Sequence, residues 1–351
     1  MYFHIDYATP DFVDGWLTPD NPTVVPKFRI ETNGINAVVL EANVYRPDLV
    51  DARLHETGLV GFRFDDRNVP GFSSSYDLKI TELANQRIIY RRSESTEYKT
   101  GKLLIYNNLP VPSRLFKRKL GDQFLVSYLS IDELGIDSAL ALLGNDAIGS
   151  IFSEGRLALA THYRKLIALD YCVAALIVEP FTELANRLLV VKTILDSKHG
   201  ANGVKALPPH YSSLLECVEN LREFSTNDIS TVFADLSQAQ RTAIRDPVTR
   251  GLACDPNEEP EPRHVPIALG NLSAFSVVGI GSRFELFKRA LSPVMPTLNL
   301  SDVSILTLAA ASELEAALRR SATVRKLLRN DVRLYDYIER SIDKADSHEK
   351  R

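Results

Sequence analysis

The sequence predicts a mixed α/β protein, with an N-terminal antiparallel β-sandwich followed by a three-layer α/β domain that has a parallel sheet and a helical C-terminal part. Three observations support this prediction. Up to about residue 92, apolar and polar residues alternate in short runs, as in antiparallel strands with one buried face. From about residue 100, short apolar runs alternate with longer helical segments, as around a parallel sheet. From Leu207 onward, helical patterns dominate.

Length and composition favour two folded domains. The chain has 351 residues, more than the roughly 250 at which single cores stop growing, and we expect domains at residues 1–95 and 100–345. A hydrophobic content of 45% and a charged content of 25% are ordinary for a globular protein. The net charge of -4 argues against nucleic-acid binding but leaves room for a local basic pocket that takes one anionic ligand.

Cysteine usage and hydropathy predict a cytoplasmic protein with no membrane span. Cys172, Cys217 and Cys254 are far apart and lack C-x-x-C spacing, which supports neither a disulfide framework nor a zinc site. No histidine pair has the i, i+4 spacing of a helical metal site, so we expect no metal. The N-terminal segment lacks the apolar core of a signal peptide, and the run YCVAALIVEPF is too short to cross a bilayer.

The strands of the N-terminal domain are predicted from alternation and turn residues. The runs VVPKFRIET and INAVVLEANVY are joined by Asn33 and Gly34, a dipeptide suited to a tight hairpin because both central residues need positive φ. The period-2 pattern then continues through the runs LVGFRFDD, YDLKITEL and QRIIYRR. A small antiparallel sandwich is the expected result.

The N-terminal domain also has a short family-like signature. The segments VDGWLTPDNP, YRPDL and GLVGFRF resemble an accessory β module found beside transferase domains in bacterial surface-polysaccharide proteins. Four aromatic residues in this region have two interpretations, either a sugar-stacking face or the core of the sandwich. They are Trp16, Tyr45, Phe62 and Phe64.

The second domain begins with the apolar run KLLIYNN, a predicted strand. A proline-containing loop follows, and a helix is expected to open at Ser113. RLALATHY and YCVAALIVEP are predicted as further buried strands, the second leading into the helix FTELANRLLVVKTILDS. Later helices are predicted in HYSSLLECVENLREF, in RFELFKRALSP and from ILTLAAASEL onward.

Two later segments have the form of a known family. VPIALGNLSAFSVVGIGSRFELFKRAL contains a helix ending in Ala-x-x-Asn-Leu, a Phe-x-Val-Val-Gly strand and a Phe-Glu helix, and LLRNDVRLYDYI has the form of a final helix. With these pieces, the order from Lys102 to Ile338 resembles the P-loop-like sulfotransferase superfamily, especially its carbohydrate-acting branch. The resemblance covers about two-thirds of the chain. It implies the cofactor PAPS (3′-phosphoadenylyl sulfate) and a glycan or glycolipid acceptor.

The first cofactor motif of that family is altered here. Family members wrap the 5′-phosphosulfate with a Pro-Lys-x-x-x-Thr-Ser loop, and the matching loop here is LPVPSRLF. Val111 occupies the lysine position, glycines are absent, and Pro112 removes one N–H donor. Ser113 and Arg114, at the start of the helix, are the residues that remain to bind an anion. The alternative is a purely structural loop.

The second cofactor motif is altered as well. The resemblance aligns ALIVEPFTELANRL with the family's Arg-Asp-Pro-x-x-Arg-x-x-Ser grip on the 3′-phosphate. A glutamate about 5 Å from a phosphate would cost roughly 3 kcal/mol per charge pair at an effective dielectric of about 20. We therefore expect weak or absent PAPS binding unless Arg187 turns inward. The four replaced positions are Val178, Glu179, Glu183 and Asn186.

His162 is the candidate catalytic residue. It lies in LATHYR, where carbohydrate-acting members of the family carry a Gly-His element at a strand end. The resemblance implies a general base that takes the proton of the acceptor hydroxyl as its oxygen attacks sulfur. The alternative is a capping or packed histidine beside Tyr163.

The hexapeptide RDPVTR, residues 245–250, matches the 3′-phosphate motif in letters but not in context. It follows the polar helical run SQAQRTA, and GLACDPNEEPEP after it is not expected to supply a helix N-terminus. In chain order it resembles the family's later Asn/Asp-x-x-Thr-Arg-x-Leu loop near the acceptor, with matches at Thr249, Arg250 and Leu252. Arg250 either binds an acidic acceptor or closes a loop salt bridge.

Three functions remain open from the sequence, all within glycan or surface-polysaccharide metabolism. The first is a divergent sulfotransferase with His162 as base and a cofactor site of Ser113, Arg114 and Arg187. Alternatively, it is a glycan-binding or scaffold protein that has lost cofactor binding and contacts a polysaccharide-biosynthesis protein. The third function is another group transfer on the same fold. The replaced phosphate ligands favour the second.

Overall fold

The computed structural model describes residues 1–34, 36–109, 114–158, 163–197, 203–204, 207, 209–221, 225–255, 257–306, 308 and 310–349. The strands are β1 (Tyr2–Ala8), β2 (Phe12–Thr18), β3 (Lys27–Thr32), β4 (Asn36–Glu41), β5 (Val44–Tyr45), β6 (Leu59–Asp65), β7 (Asp77–Glu82), β8 (Arg87–Ser93), β9 (Gly101–Asn107), β10 (Val126–Tyr128), β11 (Ser150–Gly155), β12 (Tyr171–Ile177) and β13 (Val277–Ile280).

The helices lie mainly in the second half of the chain. They are α1 (Pro47–Asp51), α2 (Arg114–Gly121), α3 (Ile136–Leu143), α4 (Tyr163–Ala168), α5 (Pro180–Leu195), α6 (Pro209–Ser212), α7 (Leu215–Asn220), α8 (Thr226–Ala234), α9 (Gln238–Ile244), α10 (Pro247–Ala253), α11 (His264–Leu272), α12 (Phe284–Leu291), α13 (Ala311–Arg320), α14 (Ala322–Leu327) and α15 (Arg329–Glu349).

The N-terminal part forms two antiparallel sheets, as predicted. Their strand orders are β1-β2-β6-β5 and β4-β3-β7-β8. Between β3 and β4, Asn33 and Gly34 have φ angles of 54° and 67°, the positive values expected from this dipeptide. The ring of Phe28, on β3, lies 4.8 Å from that of Phe62, on β6. Aromatic packing therefore forms the core of this part, while the sandwich arrangement of the sheets stays a prediction.

A five-stranded parallel sheet follows, with the order β10-β11-β9-β12-β13. The predicted strands KLLIYNN and YCVAALIVEP are confirmed as β9 and β12, and the family-like late segment forms α11, β13 and α12. The strand predicted at RLALATHY is wrong for its described residues, because β11 is the preceding run SIFSEG, residues 156–158 lie outside any strand and Tyr163 begins α4, while residues 159–162 lie outside the described part of the chain. SIFSEG is poorly apolar, yet all six of its residues are buried.

The chain divides into two compact units. Unit 1 contains Met1–Leu103, Gly121–Ser153 and Leu169–Tyr171, and unit 2 contains Leu104–Leu120, Glu154–Ala168 and Cys172–Arg351. The predicted domain limits of 1–95 and 100–345 stay a prediction. None of the helices in the described ranges is long and apolar enough to cross a membrane.

The helical core of unit 2 is built around α5. This helix begins at Pro180, whose fixed φ suits the first helical position, and continues through FTELANRLLVVKTIL as predicted. Its buried face packs in one apolar cluster with residues of α7, α8 and α13, among them Leu188, Val218, Phe233 and Leu318. This packing holds the N-terminus of α5 at the carboxyl end of β12.

Candidate functional site

The candidate site is the carboxyl-end edge of the parallel sheet within unit 2. In open α/β sheets, ligands bind outside the carboxyl ends of strands where the chain order reverses direction. The chain leaves β9 towards β10 on one side of the sheet, whereas it leaves β12 towards β13 on the other side. The carboxyl ends of β9, β11 and β12 therefore lie at the edge where this rule places a ligand.

Glu154, near the end of β11, is a fully buried carboxylate at this edge. Its Oε2 atom lies 2.9 Å from Nζ of Lys117, on α2. The same oxygen accepts a hydrogen bond of 2.9 Å from Nδ2 of Asn107. The charge of Lys117 is thus already compensated inside the protein, and an anion approaching it would also face Glu154.

Glu183 forms a second buried ion-pair group. This carboxylate, on α5, contacts the guanidinium groups of Arg156 and Arg187, with 2.8 Å between Oε1 and Nε of Arg187. Arg187 is fully buried, and its Nη1 donates to the carbonyl of Ala243 at 3.0 Å. Burial lowers the pKa of the Arg187 guanidinium, and the adjacent Glu183 carboxylate opposes that shift. Arg187 therefore does turn inward, but it turns towards Glu183.

Glu179 occupies the helix terminus that the resemblance assigns to the 3′-phosphate. It is the N-cap residue of α5, and its Oε2 accepts the backbone N–H of Thr182 at 2.9 Å. The same oxygen lies 2.8 Å from Nη2 of Arg319. Burial raises the pKa of the Glu179 carboxyl. A side-chain carboxylate of the protein thus satisfies a first-turn amide that a bound phosphate would otherwise use.

Asn108 ties the ends of two strands together. Its Nδ2 donates to the carbonyl of Val178 at 3.2 Å, and its Oδ1 accepts the N–H of Val178 at 2.7 Å. The side chain therefore completes the backbone hydrogen bonding of Val178, directly after β12. Both residues are buried, and they follow β9 and β12 directly, the two strands that precede the loops assigned to the two phosphates by the resemblance.

The structure describes only some of the predicted cofactor and catalytic residues. Ser113 and His162 lie outside the described residues. Arg114 is the first residue of α2, and the structure describes its backbone position alone. The roles assigned to these residues stay predictions.

Arg250 makes contacts within its own loop region. It lies on α10, where Nη1 donates to the carbonyl of Glu258 at 2.9 Å and Nη2 lies 3.2 Å from the Glu259 carboxylate. These contacts support the salt-bridge alternative. A helix N-terminus lies within RDPVTR itself, because α10 begins at Pro247, whereas the first residues of the following run GLACDPNEEPEP form the end of this helix. Asp331 already caps that terminus by accepting the N–H of Thr249 at 2.7 Å.

Cys254, Glu258 and His264 bring three potential metal ligands within 4.8 Å of one another. His264 Nδ1 accepts the N–H of Glu261 at 2.9 Å, which assigns the ring proton to Nε2, 3.1 Å from the Glu258 carboxylate. Burial raises the pKa of Cys254 to about 11. A metal would need a thiolate and a free imidazole lone pair. These contacts therefore favour a hydrogen-bonded structural cluster.

The aromatic residues of the N-terminal part divide between core and surface. Phe62 and Phe64 are buried core residues, whereas Tyr45 is 58% exposed. Trp16 is half-buried and alternates along β2 with the buried Val13 and Leu17, so it lies on the opposite face of the sheet. The core interpretation therefore holds for Phe62 and Phe64, whereas Trp16 and Tyr45 lie outside the buried core.

Residue patterns in the sequence missed Asn108 and the Glu154–Lys117 pair, because each depends on contacts between distant segments. The Glu183–Arg187 pair had a detectable signal, since the two residues have the i, i+4 spacing of a helical ion pair. Comparison of the chain with protein-family models, with curated proteins and with solved structures gives no match. The residues themselves therefore carry the functional inference.

Proposed function

We propose that this chain is a sulfotransferase-like protein of glycan or surface-polysaccharide metabolism that binds PAPS weakly or not at all. The observation that carries the proposal is the buried Glu183 carboxylate between Arg156 and Arg187. The resemblance requires an arginine at the position of Glu183. One carboxylate lies between two cations there, so both guanidinium groups contact a side chain of the protein where the resemblance would place a phosphate ligand.

The strand order supports the family assignment within this proposal. The first strand of the sheet, β9, lies in its middle, next to β12. The carboxyl ends of these two strands therefore share one edge, as the two phosphate grips of a PAPS site require. This topology is compatible with the resemblance, while activity depends on the side chains at the edge.

The charges at that edge support the loss of cofactor binding. Lys117 is paired with Glu154, and Arg319 is paired with Glu179. A phosphate about 5 Å from Glu183 would meet a repulsion of roughly 3 kcal/mol per charge pair at an effective dielectric of about 20. A phosphate at the N-terminus of α5 would therefore face the carboxylates of Glu179 and Glu183.

Calorimetry with PAP, the desulfated product of the cofactor, tests the proposal. We expect no measurable binding by the full chain. Low-micromolar binding would overturn the proposal and favour an active sulfotransferase. In that case, His162→Ala should greatly reduce sulfuryl transfer with little loss of PAP affinity. Unchanged turnover would remove His162 from the mechanism.

The outer face of the β1-β2-β6-β5 sheet favours glycan binding as the retained function. Arg46 lies 5.8 Å from the ring centroid of Trp16. On the same strand, Oδ1 of Asp14 is buried and has no hydrogen-bond partner among the described residues. An aromatic ring beside polar groups of fixed orientation suits a sugar, which offers an apolar face and hydroxyl edges.

A glycan array with the full chain tests this second function. We expect bound glycans to be lost in Trp16→Ala and retained in Tyr76→Ala. Tyr76 is 55% exposed and lies next to β7, in the other antiparallel sheet, so it controls for the loss of an exposed ring. Equal binding by both variants, or no glycan bound by the wild-type chain, would leave the protein-scaffold role as the better hypothesis.

A further inference from the structure

A cleft of about 740 Å³ opens in unit 2, among α8, α9 and α14. We propose that this cleft is a binding site for a small phosphorylated organic molecule, distinct from the edge where PAPS would bind. Its volume lies within the range of about 300–1,000 Å³ typical of small-molecule sites. The proposal does not depend on the family resemblance, because none of its residues belongs to the altered cofactor motifs.

Arg241 is held with its guanidinium at the cleft. Its Nε donates to the carbonyl of Leu236 at 2.9 Å, and Nη2 donates to the carbonyl of Ala234 at 3.2 Å. Nη1 has no hydrogen-bond partner within the described ranges. Two backbone carbonyls therefore fix the group while leaving it fully charged, so little side-chain entropy is lost when an anion binds.

Arg245 and Lys326 add two further cations to the lining. Arg245 lies one turn after Arg241, and its Nη1 is 3.1 Å from the Glu259 carboxylate. Lys326 is exposed on α14 and forms no ion pair with any described residue. Glu259 is the one acidic residue of the lining, and it also pairs with Arg250. The cleft therefore has an excess of positive charge.

Besides the charged residues and the polar Gln238 and Thr323, apolar side chains line the cleft and suggest the rest of the ligand. They come from Phe233 and Ala234 at the end of α8, and from Ala322 and Leu327 on α14. Guanidinium and ammonium groups bind phosphate oxygens through charge-assisted hydrogen bonds. A phosphate monoester with an organic body, such as a sugar phosphate, matches both parts of the lining.

Calorimetry with glucose 1-phosphate, inorganic phosphate and glucose tests the proposal on the full chain. We expect glucose 1-phosphate to bind, inorganic phosphate to bind more weakly, and glucose to give no signal. Binding of glucose as tight as that of its phosphate would overturn the anionic assignment. Equal binding of both phosphates would overturn the organic part, and no binding by either would overturn the site.

One lysine variant and one arginine variant test whether glucose 1-phosphate binds in this cleft. Lys326→Gln should weaken glucose 1-phosphate binding roughly tenfold, the usual effect of removing one charge-assisted hydrogen bond. Arg325→Gln is the matched control, because Arg325 is the exposed neighbour on α14 and does not line the cleft. We expect less than a twofold change in the control. Equal effects of the two variants would overturn the assignment to this cleft.

Glu259→Gln should change the affinity in the opposite direction. It removes the carboxylate of the lining and releases Arg245, so we expect tighter binding of glucose 1-phosphate, by roughly two- to fivefold for exposed charges. Weaker binding by this variant would contradict the electrostatic argument. This result is independent of the PAP titration. If PAP binds, the proposal based on Glu183 fails, but the proposal based on Lys326 and the cleft is unaffected.

Discussion

Asp246 and Asp331 cap each other's helices. The Asp331 carboxylate accepts the N–H groups of Val248 and Thr249, at 3.0 and 2.7 Å, in the first turn of α10. The Asp246 carboxylate accepts the N–H groups of Asn330 and Asp331, at 2.8 and 2.9 Å, at the start of α15. Both side chains are buried. Two helix N-termini are thus satisfied by one reciprocal pair of carboxyl groups.

The reciprocal cap predicts a pH-dependent stability. Burial, followed by the neighbouring Asp331 charge, raises the pKa of Asp246 from 3.8 to about 7. Since the folded state binds the proton more tightly than the unfolded state, this stabilisation is present at low pH and lost as the pH rises through about 7. The free energy of unfolding should fall by roughly 1 kcal/mol between about pH 6 and pH 8 through this group.

Urea denaturation of wild type and Asp246→Asn at the two pH values measures this effect. The variant cannot titrate at position 246, so its stability should change less between the two pH values. Since Asp331 interacts with Asp246, the difference between the two pH dependences reports the titration of this pair of carboxyl groups. Identical pH dependences would contradict the raised pKa.

The buried Glu183 carboxylate should contribute far more to the free energy of unfolding than the carboxylate of an exposed i, i+4 ion pair. Glu183→Gln leaves Arg187 buried beside an uncharged group and should cost about 3–5 kcal/mol of unfolding free energy. Asp196→Asn is the matched control, because Asp196 pairs with Lys192 at the same i, i+4 spacing on the surface. We expect it to change stability by less than about 0.5 kcal/mol. If chemical denaturation showed the same loss of unfolding free energy in Glu183→Gln and Asp196→Asn, this would argue against a buried ion pair.

Glu154→Gln should create a response to anions. The amide can still accept the hydrogen bond from Asn107, but Lys117 loses its charge partner. We expect a lower melting temperature than wild type and a partial recovery in sulfate, because the anion replaces the missing charge. Asp146→Asn, which removes the exposed partner of Lys102, serves as control. A sulfate effect no larger than in wild type would show that Lys117 does not attract anions.

The cysteines should differ in reactivity. Cys172 is half-buried, whereas Cys217 and Cys254 are buried, and burial raises their pKa values to about 12 and about 11. The thiolate is the reactive form, so we expect alkylation of the native protein to begin at Cys172. Peptide mass spectrometry after a short iodoacetamide treatment identifies the site. Early labelling of Cys254 would contradict its burial and its raised pKa.

The sequence allowed prediction of those strands whose burial is visible as apolar residues. β9 and β12 are such strands. β11 was missed because it contains the polar residues Ser153 and Glu154, both buried, and Glu154 is buried beside a distant charge partner. The hydropathy pattern of β11 does not reveal this partner, because Lys117 lies on α2.

The resemblance directed attention to Glu179 and Glu183 but could not predict their contacts. It did not reveal that Glu179 caps its own helix or that Arg187 is buried against Glu183. For Arg250, both alternatives were open until the positions of Glu258 and Glu259 were known.

The central position of β9 has a consequence during synthesis of the chain. Its neighbours β11 and β12 are both made later, and β12 is complete about 70 residues after β9. At a translation rate of roughly 5–20 residues per second, this delay lasts about 4–14 seconds. The apolar run KLLIYNN has both hydrogen-bonding edges unpaired until β11 is made, and one edge unpaired until β12 is made, which favours association with other chains. Soluble yield should therefore depend on chaperones that cover this strand until its neighbours emerge.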